Sequence, residues 1–529
     1  MSAAPILERA SRQKAPRVPV LLRFLPSLTD FAFLLPAVCL FVVLKGTATL
    51  LGDAGTGLHI RTGEWIWAHR QVPWRDPFSF TMPGRPWFAW EWGWDVLISA
   101  IHHHWSLAGV VWVHIALLGV IAVVLFRQVR RRAGNDVFAF ALTVLALEVS
   151  SLHWLARPHL VSWLFVLATI GIIGAWERGN RWVLWSIPPL VALWTNLHGS
   201  FFIAPLTLGL YAAGYLIREL LADDKIPLLR RLKTAGECFA CAVACLAASL
   251  LNPYGLELHR HVLSYLRDAK QLDVINEFQS LDFHHPPALY FEILLLLGVL
   301  AALSSIRRNR WGEALVIVVW AHFALHASRN IPIYAFFVAG PIASLLRQAP
   351  AELLDAPFAP WWRSLVRRVF SFGSDFHDLE RVERIPILPV LAMAAIGLLL
   401  RSSAPLPKFR PEFSRTVFPA AAIAVFDRHP VHRILTGDQW GDYLVYRRYP
   451  EKVFIDDRTD FYGAAFDREW VTLLNGRYDW REMFRRFHFD AVLLKTGDPL
   501  ASVLKESGEW TPVYDDGMAI IFLPGPKNF

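Results

Sequence analysis

Long apolar runs fill the first three quarters of this chain, and compact basic patches recur among them at every second gap. A run of about 20 apolar residues matches the hydrocarbon thickness of a bilayer. In lipid each backbone polar group must be bonded within its own segment, so such runs fold as helices. Arg9, Arg12, Lys14, Arg17 and Arg23 precede the first run, roughly 31–51, and Arg127, Arg130, Arg131 and Arg132 follow the second, around 107–126. Arg178 with Arg181 comes next, then Lys225, Arg230, Arg231 and Lys233, then Arg307, Arg308 and Arg310, then Arg363, Arg367 and Arg368. Short Lys/Arg-rich loops mark the cytoplasmic side of a membrane. The spacing therefore predicts an inside N-terminus and about eleven spans, the last over 385–400.

Hydrophobic residues make up 54% of the 529 and charged residues only 19%, which excludes a disordered chain or a single soluble domain. The net charge of +8 would fit a nucleic-acid binder only with the basic residues on a soluble surface. They sit in the inside loops instead, so nucleic acid is not expected as a partner, and membrane lipids are. The first apolar run has no small-residue cleavage site after it and reads as an uncleaved span. Cys238, Cys241 and Cys245 share one apolar span and read as inert buried thiols.

The expected fold class is a polytopic α-helical membrane protein with a C-terminal soluble α/β domain. A basic cytoplasmic N-terminus occupies 1–28. The membrane module occupies 29–401, with a first periplasmic loop at 52–106 carrying two surface helices, 56–69 and 90–104. An odd number of spans places the last domain, 402–529, in the periplasm of a cell with an inner membrane. Strands are expected there at 433–436, 452–456, 491–495 and 518–523, with helices between them. Before the last span, Trp361, Trp362, Val366, Val369 and Phe370 alternate with arginines, as in a helix lying on the cytoplasmic leaflet. Trp65, Trp67, Trp87, Trp90, Trp92 and Trp94 read as an interfacial belt.

The inside turns hold plain Arg and Lys, whereas the outside turns are chemically mixed. Asp53, His59 and Arg61 follow span one, and His153, Arg157 and His159 lie between spans three and four. Asn196 and His198 follow span five, Asn252 and Tyr254 end span seven, and Arg329 and Asn330 end span nine. Ionisable residues at membrane depth are costly and mark function. Any one of them also reads as a helix cap or an interface group, and Asn252-Pro-Tyr-Gly255 as a turn. Their recurrence on one side points to a shared outer pocket. Asp53 follows an apolar span directly, and partial desolvation there would give it the raised basicity of a general base. Thr56 reads as a helix cap and Asp76 as a turn residue. Glu91 and Asp95, four residues apart, share a helix face that either binds a cation or is solvated, with Asp95 expected in solvent.

The order of these features resembles the GT-C superfamily, the multi-spanning glycosyltransferases that use polyprenyl-phosphate sugars. The stretch Asp53-Ala-Gly-Thr-Gly-Leu-His-Ile-Arg-Thr-Gly-Glu-Trp-Ile66 and the stretch Val72-Pro-Trp-Arg-Asp-Pro-Phe-Ser-Phe-Thr81 are similar to those of a group of bacterial GT-C-like proteins. So are Trp194-Thr-Asn-Leu-His-Gly199, Leu251-Asn-Pro-Tyr-Gly255 and Val453-Phe-Ile-Asp-Asp-Arg-Thr-Asp-Phe-Tyr-Gly463. The resemblance covers nearly the whole chain and implies an inverting transferase with Asp53 as base. It implies a polyprenyl-phosphate-linked sugar donor held through its phosphate by His59, Arg61, Arg157, His159, His198 and Arg329. Glu91, Asn196, Asn252, Tyr254 and Asn330 would line the acceptor side, and the acceptor would be a glycan, a lipid or a protein. No cofactor is fixed by the sequence. A divalent metal stays open, because Ala54 follows Asp53 where some members carry a second acidic residue. The segment Asp456-Asp-Arg-Thr-Asp460 either helps receive the acceptor or is a strand-end turn packed on the membrane part. A transporter or flippase for lipid-linked glycans, an O-antigen-like polymerase or ligase, and a non-catalytic scaffold are the competing readings. The lack of an internal repeat weighs against transport.

Overall fold

A computed structural model describes residues 23–222, 232–273, 275–355 and 384–525, with isolated residues between 361 and 380. The basic head before Arg23, the patch at Lys225, Arg230 and Arg231, and most of the amphipathic stretch 361–370 lie outside the described residues. Among the described residues, six helices are long and apolar enough to cross a membrane: Trp92–Ala133, Asp136–His153, His159–Glu177, Gly199–Leu221, Ala288–Arg307 and Ser328–Gln348. Three shorter apolar helices, Leu28–Val43, Trp311–His326 and Ile387–Leu400, pack among them. The expected eleven do not all appear as full-length spans, and local chemistry accounts for the short ones. Gly46, at φ 65°, ends the first segment and starts a four-residue helix, Thr47–Leu50. Pro188 and Pro189 open the eight-residue helix Ile187–Trp194 after a 3-10 turn over Arg181–Ser186.

The first outer loop holds two helices, as expected. Gly55–His69 is one, although Thr56 is not its cap and donates its hydroxyl instead to the Ala156 carbonyl at 3.0 Å. The other is the front of the 42-residue helix Trp92–Ala133, which breaks at Ser106 (φ 54°, ψ −162°) before descending as a span. The two outer helices cross at Gly63, where a Cβ would stand 2.0 Å from the Asp95 carbonyl oxygen, so only glycine permits the approach. Trp67 is exposed at 59%, as a belt residue should be, but Trp87 and Trp94 are buried, so the belt does not run through the whole set. The three clustered cysteines are free, buried thiols.

The C-terminal part forms a four-stranded sheet in the order β1-β2-β4-β3, with β1 Ile434–Leu435, β2 Ala491–Lys495, β3 Trp510–Asp515 and β4 Ala519–Pro524. β1 pairs with β2 in parallel and the other pairs are antiparallel. Segment 452–456 is not a strand of this sheet. Its Val453 instead pairs with the first outer loop, accepting from the Phe80 N–H at 3.0 Å and donating to the Phe78 carbonyl at 2.9 Å. β3 escapes the alternation rule because Pro512 lies inside it. An edge position, with a register shift between Pro512 and Tyr514, accommodates the missing N–H.

One buried arginine ties this part to the outer loop. Arg458 grips Asp456 with Nε and Nη2, both at 2.6 Å, and Nη2 also reaches Asp76 at 2.8 Å. The Trp87 ring covers it at 4.5 Å. Asp76, read from sequence as a turn residue, is therefore an anchor as well.

Candidate active site

Asp53 sits in the turn between Thr47–Leu50 and Gly55–His69. Its Oδ1 accepts from the Gly55 N–H at 2.7 Å, and its Oδ2 accepts from Arg157 Nη1 at 2.8 Å. Arg157 comes from the turn before the span His159–Glu177. The same Nη1 also donates to Asp457 Oδ2 at 2.8 Å, from the C-terminal part. Asp442, on the helix Asp438–Arg448, completes a carboxylate trio whose oxygens lie within 4.8 Å of one another. It is fully buried, and its Oδ2 has no partner. Gly55 leaves room for this bridge, since a Cβ there would stand 2.7 Å from Arg157 Nη1 and 2.8 Å from Asp457 Oδ2 and would push both side-chain ends aside.

Glu91 links two histidines beside this trio. One carboxylate oxygen lies 3.5 Å from His59 Nε2 and the other 3.4 Å from His198 Nε2. His59 turns its Nδ1 to Asp95 at 2.7 Å, so Asp95 is buried and bonded rather than solvated. His198 Nδ1 lies 2.8 Å from the Ser162 hydroxyl and 2.7 Å from that of Ser200. On the far side of Arg157, His153 Nε2 stands 3.5 Å from Glu277, and Arg329 reaches the same carboxylate at 4.0 Å. His159 Nε2 meets the His153 carbonyl at 2.8 Å, and since a carbonyl only accepts, this nitrogen carries the proton.

Burial and charge sort the protonation states. Burial raises Asp53, but the Arg157 charge and hydrogen bond, with the Gly55 N–H, outweigh it and hold the carboxyl below its ordinary range. The raised basicity expected from desolvation alone is thus reversed by Arg157. Asp457 goes the other way, because burial and the Asp53 charge outweigh its share of the same guanidinium. Glu91 is pushed up to about 7, chiefly by burial, with His59 opposing. Burial lowers His59 and carries His198 well below its ordinary value, so both imidazoles are neutral near pH 7. The outer pocket thus pairs one fixed cation with carboxylates of very different basicity.

Other candidates lie apart from this cluster. Arg61 spends its Nε and Nη2 on the Tyr446 carbonyl, at 2.9 and 2.5 Å, and pairs with Glu64. Asn196 accepts from Trp92 Nε1 at 2.8 Å and donates to the Leu251 carbonyl at 2.8 Å, and Asn330 donates to the Phe323 carbonyl at 3.1 Å. Asn252 closes its own turn onto the Ser249 and Gly255 carbonyls. The Tyr254 hydroxyl donates to the Pro73 carbonyl and accepts from the Ala89 N–H, both at 2.8 Å, bracing the first loop. Asp442 and Glu277 were not singled out from sequence. Asp442 sits in an ordinary-looking helix, and only the packing of the C-terminal part against the membrane helices gives it significance.

Three carboxylates in such proximity form the oxygen donor set that a divalent cation takes. Here Arg157 Nη1 already fills the gap between Asp53 and Asp457 and satisfies both. Asp442 Oδ2 keeps no partner, so Arg157 neutralises the trio only in part.

Among solved structures the chain shares its fold with an archaeal oligosaccharyltransferase. The chain aligns with the Archaeoglobus fulgidus oligosaccharyltransferase AglB in complex with an inhibitory peptide and a dolichol-phosphate, at TM-score 0.55 and 12% identity. It aligns with the apo form of that enzyme at 0.54 and with the form tethered to an acceptor peptide at 0.52. In each case 95% of this chain and 74% of that one are covered, so the likeness spans membrane and C-terminal parts together. No protein-family model and no curated protein sequence matches the chain.

Proposed function

We propose that the chain is a bacterial inner-membrane glycosyltransferase. It would move a sugar from a polyprenyl-phosphate-linked donor to a glycan, lipid or protein acceptor at the periplasmic face, with inversion. The observation that carries this reading is the sharing of one Arg157 nitrogen between Asp53 of the first outer loop and Asp457 of the C-terminal part. A guanidinium at that junction matches the charge and planar geometry of phosphate oxygens.

The chemistry follows from a competition for Arg157. A donor phosphate entering the pocket draws the guanidinium toward itself, which loosens its hold on Asp53 and restores that carboxylate's basicity. Asp53 then takes the proton of the acceptor hydroxyl, whose oxygen attacks the anomeric carbon. The bond from that carbon to the phosphate oxygen breaks, and its electron pair leaves with the polyprenyl phosphate. Arg157 stabilises the new charge on the phosphate, and the imidazoles of His59 and His198 stand beside it as further polar groups. Arg329 stands at the edge of the pocket. Donor binding and base activation are one event in this scheme, so the acceptor is not activated before the donor arrives.

A second reading of the base rests on Glu91. Its carboxyl is pushed up to about 7, where a general base works most efficiently. It would take the proton directly, with Asp53 only positioning Arg157.

The full chain in proteoliposomes, given a panel of radiolabelled polyprenyl-phosphate and polyprenyl-diphosphate sugars with mixed envelope acceptors, tests the function. Release of free polyprenyl phosphate or diphosphate together with a new glycosidic product is expected. Translocation of intact donor across the vesicle, with no bond made or broken, would replace this reading with a flippase.

A further inference from the structure

A second polar cavity lies at the opposite ends of the same helices. It is an open hollow of about 1000 Å³ lined by Arg131, Arg132, Arg178, Arg308, Arg310 and Arg347, with Glu177 the one acid in its wall. The span His159–Glu177 begins beside Arg157 and ends at this cavity. Its 19 residues rise about 28 Å, close to the hydrocarbon thickness of a bilayer. The cavity therefore opens at the headgroup level of the leaflet opposite the outer site.

Two of the six arginines are already committed. Arg132 bonds Glu313 at 2.6 Å, and Arg310 lies 3.0 Å from Glu177 and 3.1 Å from Glu313. The Tyr215 hydroxyl donates to Glu177 at 3.0 Å and holds that acid in place. Among the described residues no carboxylate pairs with Arg131, Arg178, Arg308 or Arg347. They project from the ends of four different helical segments around one hollow. Loop arginines that only orient a chain can spread into solvent and have no need to converge. Four unneutralised guanidiniums facing one concavity repel each other unless anions join them; each fork can hold a phosphate bidentately, and together the four offer charge and donors for two phosphate groups.

We propose that this cavity binds a lipid carrying two phosphate groups in the cytoplasmic leaflet. Either two bridged phosphodiesters, as in cardiolipin, or a polyprenyl diphosphate satisfies the chemistry. Basic pockets between spans on the cytoplasmic side are suited to such headgroups. The cavity shares no residue with the outer site, so the inference stands without the transferase reading.

Native mass spectrometry of the full chain in neutral detergent tests it, with cardiolipin, undecaprenyl diphosphate and phosphatidylglycerol titrated separately. At least one of the two-phosphate lipids should bind tenfold or more tightly than phosphatidylglycerol, and the arm that binds identifies the source. The quadruple variant R131Q/R178Q/R308Q/R347Q should lose that preference. If it fails to fold, the double variant R178Q/R347Q should weaken binding at least fivefold. Equal binding of all three lipids, or an unchanged preference in a folded variant, overturns the proposal. Soluble pyrophosphate binding as tightly as the lipids would overturn the lipid assignment.

Discussion

Replacing Asp53 by Asn isolates the charge at the centre of the outer site while keeping its shape. The single amide oxygen can accept from Arg157 or from the Gly55 N–H but not from both, so the ionic part of a 2.8 Å contact and one hydrogen bond are lost. A hydrogen bond to a charged group contributes about 1.5–3 kcal/mol, a neutral one about 1 kcal/mol, and a buried donor left unpaired costs about 1–3 kcal/mol, so the stability cost should be about 2–4 kcal/mol. Asp457 remains to pair with Arg157 and limits the damage. The consequence for rate is far larger. Loss of a positioned general base costs about 10²- to 10⁴-fold. The pH dependence of stability separates this loss from misfolding. Asp53 has a depressed folded pKa, so its contribution is fully present above the ordinary carboxylate range and is lost as pH falls through the lower folded value. Asp53→Asn should remove that component and flatten the acid limb of a thermal-unfolding profile. Product formation is measured in proteoliposomes, with tryptophan fluorescence following unfolding at several pH values. Wild-type turnover in a folded Asp53→Asn protein would refute Asp53 as the base.

Four further outcomes follow from the same geometry. Glu91→Gln tests the second reading. The folded pKa near 7 lies above the unfolded one, so ionisation penalises folding as pH rises from about 4.5 to 7, and the variant should unfold at higher temperature than wild type at pH 8; loss of a rate limb near pH 7 would make Glu91 the base. Gly55→Ala should drive Arg157 and Asp457 apart and reduce turnover at least tenfold, while a thermal shift stays modest; unchanged turnover would show that the bridge is dispensable. Arg458→Met leaves Asp76 and Asp456 buried without their cation and should cost about 3–5 kcal/mol, seen as faster proteolysis of the C-terminal part. Chelation with EDTA should change turnover by less than about twofold, because Arg157 takes the place between the carboxylates; loss of activity restored by a divalent ion would contradict this.

Helix chemistry was the most legible part of the chain. Apolar length and basic loops locate the long spans, and the outer helix Gly55–His69 ends within a residue of its expected position. Four helices of the C-terminal part, Asp438–Arg448, Ala464–Leu474, Trp480–Phe487 and Pro499–Ser507, and three of its strands, β1, β2 and β4, follow from period and turn residues alone. The number of full-length spans was not readable, because prolines and glycines shorten segments that hydropathy counts as whole. At the site, Asp53, Arg157, His59 and His198 were visible because they are polar residues in turns between apolar runs. Asp95 was misread as solvated, since a helix-face pattern cannot reveal that His59 of another helix covers it. Asp457 lies in the segment 456–460 already read as acceptor-side or turn, but its bond to Arg157, 300 positions away, and the place of Asp442 beside it are recorded in no local pattern. The depressed pKa of Asp53 was hidden for the same reason, its cause being a guanidinium 104 residues away.

The clasp of Arg458 on Asp76 sets an order of events during synthesis. Asp76 emerges 382 residues before the arginine that neutralises it. Until the final stretch has been made, the loop that holds Asp76 has a carboxylate with no cation to bury it against, and Arg157 has only one of its two acidic partners. The loop can finish packing only when the end of the chain arrives. A ribosome that stops early therefore leaves a chain with its membrane helices made and the Asp53–Arg157–Asp457 cluster unassembled.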